Sequence, residues 1–267
     1  MGVIRLAAAL LLSLAARADA AGPPYGRDYL LLRKKIAADF RERGPAPMTI
    51  LEEPLPRSYE GQKVIAFTFD ACRGRHNDYN AKLIDYLRSE KVPATLFITA
   101  VWADKFPDRL KELAADPLFE IENHGWRHKA CSYAGTRKYG VPAASRIEDM
   151  VDEIELGARR LQEATGRRPV FYRPAGAYTD SVCVWVAQQL GMETITYSLL
   201  SGDATPSVAA SVIRDNILKR ARPGAVVIMH FNRPRWHELE ALKQAVPLLR
   251  ARGYSFARLE DFSLQGN

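Results

Sequence analysis

From Lys63 onward, short β-rich runs alternate with amphipathic helical runs, and this alternation constrains the fold more than any other feature. The runs that we interpret as strands are VIAFTFD, ATLFITA, FEIEN, VFYRP, ETITYS, AVVIMH and YSFARL. The helices predicted between them cover residues 80–90, 107–115, 147–165, 180–190, 208–220 and 238–252. Strands separated by helices form parallel sheets, so the pattern predicts an α/β fold, a distorted seven-stranded parallel (β/α) barrel. An open doubly wound sheet is the competing topology.

The first twenty residues have the features of a secretory signal peptide. Arg5 supplies a positive charge, residues 6–16 are mostly alanine and leucine, and Ala18-Asp19-Ala20 has the small-x-small form of a cleavage site. This apolar run is too short to span a bilayer, so we expect cleavage, no stable membrane insertion, and a periplasmic or secreted protein. Residues 21–61 are expected to form an N-terminal extension, either packed on the main domain or acting as a linker. The main domain is then residues 62–267.

The chain carries a formal net charge of +7 at pH 7. A basic exported protein suits anionic envelope polymers, although scattered surface charge is the commoner explanation. No recognisable nucleic-acid-binding motif accompanies the charge, so we expect no nucleic-acid partner.

The three cysteines allow one disulfide in an oxidising compartment and leave one thiol over. Cys72 and Cys131 both follow segments that carry candidate site residues, so we expect these two to pair. Cys183 lies in the apolar helical run VCVWVAQQL and is expected to be a buried core residue.

Polar or ionisable side chains stand at the ends of five of the seven predicted strands. In parallel α/β folds the carboxyl ends of the strands meet at one edge, where sites collect. An unpaired charge at the end of a buried strand is costly, so such an acid indicates a role in a site. The strand-end residues are Asp70, Asn123-His124, Arg173-Pro174, Asp203 and His230.

The segment HGWRH places two histidines four residues apart, directly after the third predicted strand. Two imidazoles at this spacing can face one metal ion, which makes His124 and His128 candidate ligands. A carboxylate would complete a set of three ligands and leave positions open for water and substrate.

The motifs FTFD, HGWRH, YRPAG, SGDA and VIMH, in this order and spacing, resemble those of the NodB-homology polysaccharide deacetylases, carbohydrate esterase family 4. The resemblance extends over about residues 62–260. It implies metal-dependent hydrolysis of N-acetyl groups on an N-acetylated polysaccharide, with release of acetate. Peptidoglycan, poly-N-acetylglucosamine, chitin fragments and O-acetylated xylan all fit as substrates, and zinc is the simplest choice of divalent metal.

Residue by residue, the resemblance implies a division of roles. His124 and His128 would be metal ligands, with Gly125 where the family usually has Ser or Thr. Asp70 would be the general base, and Arg173 would orient it. Asp203 would brace this arginine, and His230 would be the general acid.

Ala71 departs from the family pattern, because the family has a metal-binding aspartate at this position. Either the two histidines hold the metal together with water, or another acid reaches in from the following loop. Asp78 is the expected substitute, and its alternative role is that of a helix cap. His76 in the same loop is a further possible ligand but is expected to be solvated. The missing ligand also leaves open a catalytically silent glycan-binding homologue, and the scaffold allows a metal-free amide hydrolase.

Overall fold

The computed structural model describes residues 26–44, 50–51, 62–73, 78–137 and 139–261. The predicted signal peptide at residues 1–20 and the possible ligand His76 lie outside these ranges. Of the helices in the described ranges, none has the length and apolar character needed to cross a membrane.

A path of seven strands, parallel at every pairing, forms the centre of the fold. In spatial order they are β10 (Leu199–Leu200), β11 (Ala225–His230), β2 (Val64–Ala71), β3 (Ala94–Ile98), β4 (Phe119–Asn123), β7 (Phe171–Tyr172) and β9 (Glu193–Thr194). A short strand off this path, β12 (Ser255–Phe256), pairs in parallel with the first residues of β2. In the described part of the chain no ladder joins the edge strands β9 and β10. The predicted α/β fold with a distorted seven-stranded parallel (β/α) barrel is therefore confirmed, in an unclosed form.

A second, smaller sheet lies outside this barrel and is made of two-residue strands. Its order is β1 (Ile50–Leu51), β8 (Thr179–Asp180), β5 (Ala130–Cys131) and β6 (Ala143–Ala144). Strand β1 pairs antiparallel with β8, while the other two pairings are parallel. This sheet ties residues of the N-terminal extension to the loop after β4.

Six helices of the described residues match the six predicted ones in place and nearly in length, and two further helices, the first and the third, are present. Together they are α1 (Arg27–Arg43), α2 (Ala81–Ser89), α3 (Ala100–Lys105), α4 (Pro107–Ala114), α5 (Ile147–Thr165), α6 (Ser181–Gln189), α7 (Ala210–Arg220) and α8 (Glu238–Ala251). Gly166 ends α5 with a φ of 78°, a conformation that glycine adopts without strain. Helix α3 was not predicted, and it begins where the Thr99 side chain accepts a hydrogen bond from Trp102 N.

Alternate residues of β2 point to opposite sides of the sheet, as in any strand. The outward residues Ile65, Phe67, Phe69 and Ala71 belong to the large apolar cluster under the surrounding helices. Val64 and Ala66 belong instead to a small cluster inside the barrel, together with Phe97, Phe171, Ile195, Val226 and Leu259. Thr68 and Asp70 continue this inner series toward the end of the strand, so the barrel interior changes from apolar to polar at that end.

The disulfide joins Cys131 to Cys183, whose Cα atoms are 5.8 Å apart. The prediction that Cys72 pairs with Cys131 is therefore wrong. Cys131 on β5 lies against α6 in an apolar cluster that also contains Cys183. Cys183 is buried as predicted, but as a disulfide partner. Cys72 follows the end of β2 and is a buried free cysteine.

Helix α1 packs on α5 of the main domain through both apolar and charged contacts. Its residues Tyr29, Ile36, Ala37 and Phe40 are buried in the cluster that contains the disulfide. The Arg33 guanidinium lies 2.6 Å from the Asp152 carboxylate, which also accepts the Tyr29 hydroxyl, and Arg159 pairs with Asp28 at 2.7 Å. The helical part of the extension is thus held on the domain surface.

Candidate active site

Three strands of the parallel sheet, β11, β2 and β4, place polar side chains at one rim of the barrel. Asp70 is the penultimate residue of β2, His124 follows β4, and His230 ends β11. Asp70 and His230 are register partners in the β2–β11 ladder. Because side chains at paired positions face the same side of a sheet, these residues share the inner face. Asp70 is 2% exposed and His124 is 1% exposed, so the site is sheltered from bulk water.

Arg173 fixes the orientation of Asp70. The fully buried guanidinium donates from Nη1 to Asp70 Oδ1 at 2.9 Å and to Thr68 Oγ1 at 2.8 Å. Nη2 donates to the Thr196 carbonyl at 2.6 Å, and the guanidinium lies 4.1 Å from the centre of the Phe97 ring. One oxygen of Asp70 is therefore held by the arginine, while Oδ2 lies 3.7 Å from His124 Nε2.

His124 is oriented by a backbone carbonyl. Its Nδ1 lies 2.7 Å from the carbonyl oxygen of Arg173, and a carbonyl can only accept, so Nδ1 carries a proton. In the neutral ring the lone pair is then on Nε2, which lies 3.6 Å from Cys72 Sγ. A hydrogen bond of this kind behind the ring is typical of metal-binding histidines.

His128 stands in a strained turn that a buried glutamate stabilises. Its φ is +60°, in the left-handed region that non-glycine residues seldom adopt. The carboxylate of Glu153 on α5 accepts hydrogen bonds from the backbone N–H groups of Arg127 and Lys129, at 3.0 and 2.9 Å. Burial raises the pKa of Glu153, and these N–H donors oppose that rise. Glu153 thus positions the turn that presents His128.

Gly125 is required by the same arrangement. Its φ is +90°, and a Cβ at this position would lie 2.4 Å from Glu153 Oε1. The Ser or Thr that the family usually has here would collide with the carboxylate. Glycine therefore replaces the usual Ser or Thr at position 125 because the Glu153 carboxylate, which positions the loop, occupies the space of a side chain.

Cys72, His124 and His128 form a cluster whose donor atoms all lie within 4.8 Å of one another. The two imidazole rings are 4.9 Å apart and inclined at 68°. His128 Nε2 is buried and has no hydrogen-bond partner among the described residues. A buried nitrogen without a partner costs free energy unless another group occupies its lone pair. One sulfur and two imidazole nitrogens fit a divalent metal of borderline softness, such as zinc.

The charges in this pocket act on one another. Burial pushes the pKa of the Cys72 thiol up, but His128, His230 and His124 outweigh burial and hold this pKa well below its ordinary value. Burial alone would lower the pKa of His124, but the charge of Asp70 and the contact with Cys72 raise it overall. The cluster therefore favours an anionic sulfur beside imidazole rings.

Asp203 lies against His230 and not against Arg173. Asp203 Oδ2 accepts the His230 backbone N–H at 2.7 Å, and both carboxylate oxygens are 3.2 Å from His230 Nδ1. Ser201 donates its hydroxyl to Asp203 at 3.0 Å. Burial lowers the pKa of His230, but the charges and hydrogen bonds of Asp203 and Cys72 together outweigh burial and raise this pKa well above its usual value. The expectation that Asp203 braces Arg173 is therefore wrong. Asp203 orients His230 and stabilises its protonated form.

The structure does not bring Asp78 to the histidines. Its side chain is exposed, and Oδ1 accepts a hydrogen bond from Tyr79 N at 2.9 Å. Its carbonyl accepts from the Trp102 indole at 2.8 Å. The helix-capping role considered for Asp78 falls to Asn80, whose side chain accepts from Leu83 N at the start of α2.

Two residues of the site were missed by reasoning from the sequence. Cys72 was assigned to a disulfide, although its spacing of two residues from Asp70 in a strand indicates the same face. Glu153 lies within a long amphipathic helix, and nothing in the local sequence separates it from the other acidic residues there.

Comparison with known proteins identifies one family and several relatives. The sequence model of the polysaccharide deacetylase family matches residues 57–195, more than half of the chain. The peptidoglycan-N-acetylmuramic acid deacetylase PdaA of Bacillus subtilis is 26% identical over 209 residues, covering 76% of this chain and 73% of the relative. A chitooligosaccharide deacetylase of Sinorhizobium fredii is 26% identical over 212 residues, covering 75% of this chain and 92% of the relative.

Solved structures show the same fold. A family 4 carbohydrate esterase pseudoenzyme from Bacillus anthracis superposes with a TM-score of 0.66 at 21% identity, covering 79% of this chain and 69% of that chain. The structure of Bacillus subtilis PdaA superposes with a TM-score of 0.64 at 21% identity and covers 89% of each chain.

Proposed function

This chain belongs to the polysaccharide deacetylase family, carbohydrate esterase family 4, and from this premise we propose that it is an exported, metal-dependent N-deacetylase. Its substrate would be an envelope or extracellular glycan that contains N-acetylglucosamine, and its products would be acetate and a free amine. The observation that carries this proposal is the convergence of Asp70, His124 and His230 at one sheltered rim, with Arg173 and Asp203 orienting two of them.

The two imidazoles would hold a divalent metal, which we propose to be zinc. His124 would bind through Nε2, because its Nδ1 is engaged by the Arg173 carbonyl. His128 would use a ring nitrogen, and its Nε2 has no other partner among the described residues. The chemistry that such an ion supplies is polarisation of the acetamide carbonyl and a lowered pKa of bound water, toward about 7.

Asp70 is proposed as the general base. It would accept a proton from the attacking water through Oδ2, since Oδ1 is occupied by Arg173. The guanidinium keeps the carboxylate in one orientation, so that it is aimed before the substrate arrives. Such positioning is a large part of general-base efficiency.

His230 is proposed as the general acid. Asp203 stabilises the imidazolium form and orients the ring through Nδ1, so the proton on Nε2 is the one available for transfer. His230 would donate this proton to the leaving amine as the C–N bond breaks. The amine then departs neutral, and the acyl group leaves as acetate.

An N-acetylated amino sugar is supported by the names of the relatives, which act on peptidoglycan and chitooligosaccharides. Trp236, whose ring centre lies 6.5 Å from that of His230, suits a sugar ring, which commonly stacks on an aromatic face. Trp126 lies in the loop between His124 and His128, and its ring packs partly on the apolar cluster that contains the disulfide. Each tryptophan carries a stacked arginine: Arg127 lies 4.0 Å from the Trp126 ring and Arg233 lies 5.1 Å from the Trp236 ring. This cationic rim favours an anionic glycan, and among the candidates it favours peptidoglycan.

Export is supported by the disulfide between Cys131 and Cys183, since such bonds persist in oxidising compartments. The composition of residues 1–20 supports it independently.

The proposed function is tested by acetate release from a panel of glycans. We expect acetate from peptidoglycan and N-acetylated chitooligosaccharides, and much less from O-acetylated xylan. A His230→Gln variant is the matched control, and its acetate release should fall by about 10²-fold or more, because glutamine is not an acid.

Binding of these glycans by folded, zinc-loaded protein without release of acetate would overturn the proposal and identify a silent glycan-binding homologue instead. Equal acetate release by the His230→Gln variant would remove His230 from the mechanism.

A further inference from the structure

We propose that Cys72 is the third protein ligand of the metal, so that the centre is a Cys/His/His site in place of the family's carboxylate and two histidines. The inference rests on the proposed function, because it completes the metal site which that function requires.

The conformation of the end of β2 explains why the ligand lies at position 72 and not at 71. The Ala71 side chain points outward and is fully buried in the large apolar cluster under the helices. A carboxylate there would be buried among apolar groups at high cost. The inner series of side chains runs through Asp70 to Cys72, whose Sγ lies 3.6 Å from His124 Nε2. The strand therefore delivers a donor to the site one residue later than the family pattern does.

The backbone around Cys72 is held on both sides, which fixes the position of the sulfur. Thr99 donates its hydroxyl to the Ala71 carbonyl at 2.9 Å. The Asn232 side chain donates to the Cys72 carbonyl at 3.0 Å, and Phe231 N donates to the Asp70 carbonyl at 3.3 Å. The ends of the two neighbouring strands, β3 and β11, thus hold the backbone around Cys72, and a site held in this way binds metal with little reorganisation.

The neighbouring donors are committed elsewhere. Asp70 Oδ1 is held by Arg173, and the Asp78 side chain is exposed and bonded to Tyr79 N. Cys131 and Cys183 are joined in the disulfide, so Cys72 is the one free cysteine. In the described part of the chain, the group of Cys72, His124 and His128 is the one in which three possible ligand atoms converge.

A thiolate keeps the charge of the family's ligand but changes its softness. As the sulfur–metal bond forms, the Cys72 thiol releases its proton to solvent, so the ligand contributes one negative charge, as a carboxylate does. Sulfur and imidazole favour zinc and cobalt(II), whereas magnesium and calcium prefer oxygen ligands. We therefore expect this site to bind zinc and cobalt(II) and not to bind magnesium or calcium.

The test uses the full chain with its disulfide intact, stripped by a chelator and titrated with zinc or cobalt(II) chloride alone. Cobalt(II) bound to the wild-type protein should show a thiolate-to-cobalt charge-transfer absorption. X-ray absorption of the zinc protein should show one sulfur at about 2.3 Å.

Three variants sharpen the result. Cys72→Ser should lose the charge-transfer absorption and bind zinc about 100-fold more weakly or worse, because loss of a direct ligand exceeds the usual effect of removing a supporting residue. Cys72→Asp should bind zinc without this absorption. Asp78→Ala, the matched control, should behave as the wild type in both respects.

A wild-type cobalt(II) protein without thiolate absorption, or a zinc spectrum with nitrogen and oxygen ligands only, would overturn the proposal. So would a Cys72→Ser variant that binds zinc as tightly as the wild type. The wild-type spectra decide the matter even if Cys72→Ser fails to fold, which circular dichroism would reveal. Because no glycan is present, failure here is distinct from failure of the proposed deacetylation.

Discussion

The Asp70→Asn variant is expected to lose acetate release by about 10² to 10⁴-fold while keeping its metal and its fold. Asparagine has the shape of aspartate and still offers an oxygen to Arg173, so the hydrogen bond at 2.9 Å can persist. However, the amide NH₂ group of asparagine takes the place of Asp70 Oδ2, and this group is not basic. It cannot accept the proton of the attacking water. The loss should therefore appear in kcat, with little change in KM.

The measurements are acetate release and zinc content per chain on the same preparation. The Asp78→Ala variant is the control for a nearby acid, since its exposed side chain is bonded to Tyr79 N. It should retain wild-type turnover. Asp70→Asn protein that turns over as fast as the wild type would remove Asp70 as the base, and loss of zinc from it would make Asp70 a ligand instead.

Arg173→Gln is expected to lower the free energy of unfolding by about 3–5 kcal/mol, the usual effect of removing one partner of a buried ion pair. The guanidinium is fully buried and donates hydrogen bonds to Asp70, Thr68 and the Thr196 carbonyl. Without it, Asp70 would be a buried carboxylate with no cation bonded to it. The effect is read from urea unfolding with the disulfide intact.

Arg250→Gln is the matched control, because Arg250 pairs with Glu90 at 2.8 Å with both side chains 41% exposed. An exposed pair of this kind contributes about 0–1 kcal/mol. The Asp70→Asn/Arg173→Gln double variant should be more stable than Arg173→Gln alone, since its buried charge is gone. Equal losses in the two single arginine variants would show that the buried pair is no more important than a surface one.

The strands and helices were predictable because local patterns determine them. The alternation of β-rich and amphipathic runs predicted six of the seven strands of the path, all but β10 (Leu199–Leu200). The seventh predicted strand, YSFARL, is instead β12, which pairs with β2 off this path. The rule that sites collect at strand ends also predicted Asp70, His124 and His230 as site residues.

Partnerships between distant residues were not predictable in the same way. The pairing of Cys131 with Cys183 depends on how the small sheet meets α6, which spacing does not reveal. Asp203 contacts His230 because the segment between β10 and α7 lies beside the end of β11, a tertiary fact. Cys72 is different, because it directly follows β2 and continuing the alternation of that strand by one residue places it on the face of Asp70. The family pattern has a metal ligand at the position of Ala71 and led to Asp78 as its expected substitute. The alternation of side chains along the strand indicates Cys72 instead.

We propose that the rim residues act together with a bound metal to hydrolyse an N-acetyl group. The most direct measurement is acetate release from N-acetylated chitooligosaccharides by one preparation, assayed as purified, after chelation, and after return of zinc. We predict activity that disappears with the metal and returns with zinc. Acetate release that continues unchanged in fully metal-free protein would contradict the account.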